Sequence, residues 1–368
     1  MIEYSEYISV LSTLYYKYYF QEVYEMKRKA LSVLFTVLLL VATLSLSAFA
    51  ENEAVAKIGE TEYATLEEAI AAVPADGTEA TVTLLSDAEG NGIIVKEGQN
   101  VVIDFGGFTY FADGNQVGSA GTETLSFQLH KGATVALKNG TLTSTKAKML
   151  VQNYADLTLE DIILDGTKSE VNQYTLSNNF GDTVIKGATE ILGDEDTVAF
   201  DMWYGMFGVY DEGLSVTFDE SFSGTVKGAV EYGAHSRVTT DGWQAKAPLV
   251  IENGSFDIDF VATSDTIGEA NIEIGGGRFT AEVNKAHCAA GYTPATFDAK
   301  EYGVAEIKNT AKIGDTLRAG EYIGTVPEGP FTHKIFVPFY LLGTYTIKSI
   351  AEKGSFLIIS SGIFIFPF

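Results

Sequence analysis

Cysteine is nearly absent: Cys288 is the only one in 368 residues. No intrachain disulfide can form, and neither a cysteine-rich zinc site nor an iron–sulfur cluster is available, so the fold must hold through its own core. Arginine is almost as scarce. Beyond residue 50 only Arg237, Arg278 and Arg318 occur, and the chain carries a formal charge of −25. A surface this acidic, with no basic stripe, argues against charge-driven binding of nucleic acid or anionic lipid. Several catalytic signatures are also missing. His130, His235, His287 and His333 are scattered without H-E-x-x-H spacing. There is no Gly-x-Ser-x-Gly turn for a hydrolase nucleophile, and no glycine loop ending in Lys-Ser/Thr to cradle phosphate.

What is present begins with a secretion signal. Met26-Lys27-Arg28-Lys29 is a positive n-region, Ala30 to Leu46 an apolar run, and Ala48-Phe49-Ala50 a small-x-small cleavage site. Residues 26–50 therefore read as a signal peptide, with residues 1–25 an N-terminal extension from a start assigned too early. The expected mature chain runs from about Glu51, is secreted or displayed at the cell surface, and carries all of the net charge.

The stretch "YATLEEAIAAVPADG" opens the mature region. Thr65 followed by Glu68 fits a capping box, and Leu66, Ala69, Ile70 and Val73 recur at helical spacing. From Ala80 to about Ala281 the pattern changes to strand after strand with glycine-rich corners. One frame recurs: "VVIDFGGFTY" at Val101, "VALKNGTLTS" at Val135, "LTLEDIILDG" at Leu157, "LVIENGSFDI" at Leu249 and "IEIGGGRFTA" at Ile272. Each alternates apolar residues, turns a polar or glycine corner, and resumes. Units of this length cannot bury their own apolar face, so they predict a stacked solenoid in preference to a β-sandwich. The fold class expected is all-β: a right-handed parallel β-helix over residues 51–308, with a short N-terminal capping helix. Residues 309–368 differ in character. Ala-Lys-Ile-Gly at Ala311 echoes the same words at Ala56, and a hydrophobic, charge-poor end follows. This segment reads as a truncated second unit or a membrane-associated tail.

The opening "AKIGETEYATLEEAIAAVPADG", the "IIVKEGQNVVIDFGGFTY" beyond it, and "IEIGGGRFTAEVNKAHCAAGYTPATFD" together resemble the pectin-lyase-like parallel β-helix modules of secreted and surface proteins from Gram-positive gut bacteria. The resemblance covers roughly residues 55–308 and rests on structural motifs. It implies a large extracellular protein, and the function expected is a non-catalytic, structural or adhesive role that admits binding through inserted loops. The same fold also carries polysaccharide lyases and glycoside hydrolases, which makes an extracellular enzyme the alternative.

For catalysis the candidates are acidic pairs. Asp161 and Asp165 bracket an apolar "IIL", and Asp257 and Asp259 alternate on one strand and share a face. For a metal, Asp194, Asp196 and Asp201 in "GDEDTVAFD" supply hard oxygen ligands, with Ca²⁺ the candidate cation, but without EF-hand spacing. No other cofactor is expected. For binding, "FDMWYGMFGVYDEG" gathers Phe200, Trp203, Tyr204, Phe207 and Tyr210. Its aromatic faces beside carboxylates suit stacking on an extracellular glycan or anchoring a surface protein, while core packing would use the same residues.

Overall fold

The computed structural model describes residues 17–18, 20–29, 54–194, 197–206, 210–239, 241–262 and 270–308, followed by the strands of a C-terminal part between 316 and 365. Met1–Glu53 and Ala54–Phe368 are two compact units. In the first, residues 20–29 are helical, and Arg28 pairs with Glu25 at 3.6 Å. The apolar run and cleavage site of the signal lie outside the described residues. No helix among the described residues is long and apolar enough to cross a membrane.

The second unit opens with an antiparallel hairpin, Ala56–Ile58 against Thr61–Tyr63. Helix α1, Leu66–Ala72, follows. Its N-cap is Thr65, whose hydroxyl oxygen accepts from the Glu68 amide at 3.1 Å. Leu66, Ala69 and Ile70 face inward. Its C-terminus is closed by Gln99, which is buried and donates through Nε2 to the Ile70 and Val73 carbonyls, both at 2.9 Å. Those carbonyls belong to the last turn, where the Ile70 carbonyl otherwise accepts only the Val73 cap amide and the Val73 carbonyl lies beyond the helix.

From residue 79 successive passes of the chain contribute to three parallel ladders in the same order, the last pass to the first two. The first ladder joins Glu79–Leu84, Asn100–Asp104, residues 134–138, 156–160, Gly181–Lys186, Leu214–Phe218, Leu249–Ile251 and Ile272–Ile274. The second runs from Ala88–Glu89 through Thr109–Phe111, 141–143, 163–165, Glu190–Leu192, 225–227 and 255–257 to Arg278–Phe279. The third joins Ile93–Val95, Leu125–Leu129, Met149–Asn153, Tyr174–Asn178, Val198–Tyr204, 229–234 and 259–262. The recurrent sequence frame is the crossing from the first ladder to the second. Val101, Val135 and Leu157 are register neighbours, as are Leu249 and Ile272.

Register makes the core. Val82, Ile103, Leu137, Leu159, Ile185, Phe218, Ile251 and Ile274 stand in one inward column of the first ladder and are all buried. Burying side chains of this kind contributes about 1.5–3 kcal/mol each before the entropy of ordering is counted. Later passes fill the interior with rings. Phe218 lies 5.4 Å from Phe200, 5.0 Å from Phe222 and 5.1 Å from Phe256, and Phe256 stacks on Phe279 at 4.9 Å.

The expectation of a right-handed, all-parallel β-helix solenoid over residues 51–308 is corrected in this structure to a mixed parallel and antiparallel sheet. At its start Ala56–Ile58 pairs antiparallel with both Thr61–Tyr63 and 82–84. At its end Phe279 pairs antiparallel with Tyr302, and Tyr292–Asp298 forms an antiparallel pair with Glu301–Lys308. The physical reason is that an unpaired terminal strand exposes a row of backbone donors and acceptors, and a hairpin satisfies them locally. Beyond 308, Tyr322–Glu328 pairs in parallel with 307–308 and as a short antiparallel hairpin with Phe331–Phe336, Thr316–Arg318 pairs antiparallel with the distant 344–346, and 347–350 pairs antiparallel with 357–359, itself paired to Gly362–Ile365.

Close stacking of the passes leaves little room at some corners. A Cβ placed on Gly224 would lie 1.8 Å from the Thr189 carbonyl oxygen, whereas one on Gly213 would meet nothing within 4 Å. Gly224→Ala is expected to cost about 1–3 kcal/mol, and Gly213→Ala close to nothing. Urea-unfolding midpoints of the two variants check this, and equal midpoints would contradict the tight corner.

Candidate functional site

The outward row of the third ladder is polar where the other ladders alternate freely. Gln128, Gln152, Ser177, Asp201 and Glu231 are successive register neighbours on adjacent strands. Gln128 donates through Nε2 to Gln152 Oε1 at 3.0 Å, and the His130 ring nitrogen lies 3.2 Å from Gln128 Oε1. Desolvation first, and the nearby Lys96 charge second, hold His130 below its ordinary pKa. Gln128, Gln152 and His130 line a cleft of about 690 Å³, whose wall includes Tyr154 and Tyr210. The two rings are tilted together at 4.6 Å, and Tyr210 also meets Phe180 at 5.9 Å. Lys131 sits over the Phe180 ring at 4.3 Å and pairs with Glu212. The cleft therefore offers amide and hydroxyl hydrogen bonding beside flat aromatic faces.

Behind this wall lies Asp201, only 4% exposed. Oδ2 accepts from the Ser177 hydroxyl at 2.9 Å, and Oδ1 accepts from the Asn178 amide at 2.6 Å. The Asn178 side chain in turn donates to the Asp201 carbonyl at 3.0 Å. Burial pushes the Asp201 carboxyl well above the usual carboxylate range. The Glu231 charge adds to this, and the two hydrogen bonds oppose it. Tyr174 donates its hydroxyl to Glu231 Oε2 at 3.1 Å, and desolvation lifts this phenol to about 12. Burial likewise raises Tyr154, with the Tyr210 and Asp201 charges contributing in the same direction.

The residues singled out from sequence are dispersed. Tyr204 is buried in the core. Its ring stacks on Trp243 at 5.6 Å, and its hydroxyl donates to the Asp211 carbonyl. Phe200 is fully buried, Trp203 is half-buried, and Phe207 lies outside the described residues. Tyr210 alone of the set lines the cleft. Asp161 is a corner residue with φ of 52°, and its Oδ1 accepts from the Ala188 amide at 2.7 Å. Asp165 caps the short turn after it by accepting from the Thr167 amide and hydroxyl. Asp257 and Asp259 are exposed on one strand face, with Asp257 accepting from the Thr280 hydroxyl at 2.9 Å. Asp194 is exposed and accepts from the Thr197 hydroxyl, and Asp196 lies outside the described residues. Among the described residues, no three His, Cys, Asp or Glu side chains gather as they would around a metal ion. Sequence reading missed Gln128, Gln152, Glu231 and Trp243. The two glutamines and Glu231 become a group only through register, while Trp243, on a short 3-10 turn, packs between Tyr204 and Tyr232.

Comparison with known proteins points to a different stretch of the chain. Residues 295–361 match the family model of the ATP synthase alpha/beta subunit barrel-sandwich domain. The V-type ATP synthase alpha chain of Treponema denticola is 51% identical over 49 residues, 13% of this chain and 8% of that relative. Its counterpart in Chlamydia pneumoniae is 50% identical over 46 residues, 12% of this chain and 8% of the relative. That of Borrelia turicatae is 47% identical over 49 residues, with shares of 13% and 8%. The chain thus spans less than a tenth of the length of these curated relatives. No solved structure matches significantly.

These similarities correct the functional expectations. The family found is an ATP synthase subunit domain, in place of the pectin-lyase-like module. The relatives are subunits of an ATP synthase, which overturns the reading of a secreted or surface-displayed, non-catalytic adhesive protein with a glycan or surface-protein partner. The alternative of an extracellular lyase or hydrolase falls with it. The site geometry nevertheless makes one local expectation. Trp243→Ala removes the ring between Tyr204 and Tyr232 and is expected to cost roughly 2–3 kcal/mol, with loss of near-ultraviolet circular dichroism. An unchanged unfolding midpoint would show that this stack carries no stability.

Proposed function

We propose that residues 295–361 serve as a barrel-sandwich module of the ATP synthase alpha/beta type, and that through it the chain takes part in a multi-subunit ATP synthase. The observation that carries this reading is the coincidence of the family match with the change from between-pass parallel pairing to hairpin pairing. The match covers residues 295–361, and within it Tyr322–Glu328 pairs with Phe331–Phe336 as a short antiparallel hairpin, while 344–346 and 347–350 also pair antiparallel. A small all-β module made of hairpins buries its faces locally and suits a contact role.

Nucleotide chemistry is assigned to the assembly as a whole. The sequence has no Gly-x-x-x-x-Gly-Lys-Ser/Thr loop, the element whose backbone amides and lysine hold the phosphates of a P-loop nucleotide. In this reading the chain belongs to an ATP-handling complex through that module.

Two measurements check the proposal. The tagged full chain is expected to co-purify with V-type ATP synthase subunits. Ile347→Pro, which places proline opposite Ile359 in a paired strand, is expected to reduce recovery at least tenfold while leaving the far-ultraviolet spectrum nearly unchanged. The isolated chain is expected to release no phosphate from ATP above background. Absence of co-purification by the full chain, or equal recovery of the proline variant, would overturn the assignment.

A further inference from the structure

Asp201 and Glu231 occupy an unusual position. They are register neighbours on adjacent strands of the third ladder, so their side chains leave the same face one strand spacing apart. A like-charged pair at that spacing opposes the pairing that creates it. Elsewhere the same arrangement carries opposite charges: Asp104 pairs with Lys138 at 3.5 Å, and Lys186 with Glu160 at 3.4 Å. Here no such compensation occurs. Among the described residues, no lysine or arginine forms an ion pair with Asp201 or Glu231. The groups facing Asp201 are Ser177 and Asn178 on one neighbouring strand, Glu231 on the other, and the phenols Tyr154 and Tyr174. All except Glu231 are neutral in the physiological range.

We propose that Asp201 and Glu231 form a pair that carries a single negative charge in the closed ladder, so that pH sets how firmly strands Tyr174–Asn178, Val198–Tyr204 and 229–234 stay joined. In the closed form Glu231 holds the charge and accepts the Tyr174 hydroxyl, which remains protonated throughout because burial lifts it to about 12. Asp201 stays protonated because it is walled from water. An unfolded aspartate ionises near 3.9. The folded value is raised, so the stability linked to Asp201 is fully present below the unfolded value and is lost as pH rises through the folded one. Between these two values each opening event releases one proton, so opening becomes more favourable as pH rises, and above the folded value the dependence ends.

The geometry also accommodates the neutral amide. In Asp201→Asn the side-chain oxygen keeps the Asn178 amide bond, and the Ser177 hydroxyl rotates to accept from the new amide nitrogen.

Hydrogen exchange followed by mass spectrometry, corrected for intrinsic rates and run from mildly acidic to mildly alkaline pH, tests this on the full chain. In the wild type, the opening constant of peptides covering 174–178 and 198–204 is expected to rise by up to tenfold per pH unit as pH climbs towards the closed-state Asp201 transition, and to level off above it. The first-ladder strands around 134–138 should show no such rise. Asp201→Asn is expected to remove the rise, and Glu231→Gln to bring its upper end to lower pH. A pH-independent wild type, or an Asp201→Asn chain that retains the rise, would overturn the proposal. If Asp201→Asn fails to fold, the comparison of wild type with Glu231→Gln decides, and coincident pH profiles would count against the pair.

Discussion

When a strand pairs in parallel register with the strand one pass earlier, each side chain is placed beside the counterpart in its neighbour, and every column must tolerate its own repetition. Apolar columns gain from this rule. The run from Val82 to Ile274 repeats branched and aromatic side chains without a break. Charged columns do not. The outward row containing Asp104, Lys138, Glu160 and Lys186 alternates in sign, which turns a repulsive stack into a chain of ion pairs. Exposed pairs of this kind contribute little stability individually. Their larger effect is on register, since a slip of one residue would send these charges to the inward face.

The same rule explains the polar residues inside. Thr183 stands in an inward column with Leu157 and Val216 as neighbours, where a hydroxyl has no solvent. It accepts from Asn153 Nδ2 at 3.0 Å and donates to Asn178 Oδ1 at 2.8 Å. Asn153 and Asn178 are themselves register neighbours, so the network bridges successive passes at the corner after the third ladder. Leaving any one of these groups unpaired would cost about 1–3 kcal/mol. Satisfied together, they define which residue sits above which.

Much of this organisation was legible in the sequence, because the recurrent frame encodes the first ladder, its corner and the start of the second. The Thr65 cap was legible for the same reason: it depends on residues three apart. What was not legible depends on distant register. Nothing in "VAFDMWY" marks Asp201 as walled in, or ties it to Glu231, thirty residues on. The acidic pairs that looked catalytic were misleading in an instructive way. Asp161 and Asp165 lie at corners and strand ends, where a carboxylate accepts from nearby backbone amides, and in a chain with 49 acidic residues such places are filled often. The repeated Ala-Lys-Ile-Gly at Ala56 and Ala311 misled too. The first copy pairs antiparallel with 82–84 at the start of the ladders, while the second lies outside the described residues, within the stretch that matches the ATP synthase module.

The two regions of Ala54–Phe368 draw on different sources of order. Between 79 and 279 a strand gains its partner only from the next pass, some 20 to 35 residues away, so loops must close before pairing is rewarded. Between 316 and 365 most partners lie one short turn away, as in Tyr322–Glu328 against Phe331–Phe336. The 292–308 hairpin joins the two kinds of pairing, since Ile307 and Lys308 also pair in parallel with Tyr322 and Ile323. The recurrent frame over 101–281 and the family match over 295–361 therefore report on different physics in one chain. The chemistry of the third ladder, with its amide row and its two adjoining carboxylates, has to be argued from its own register.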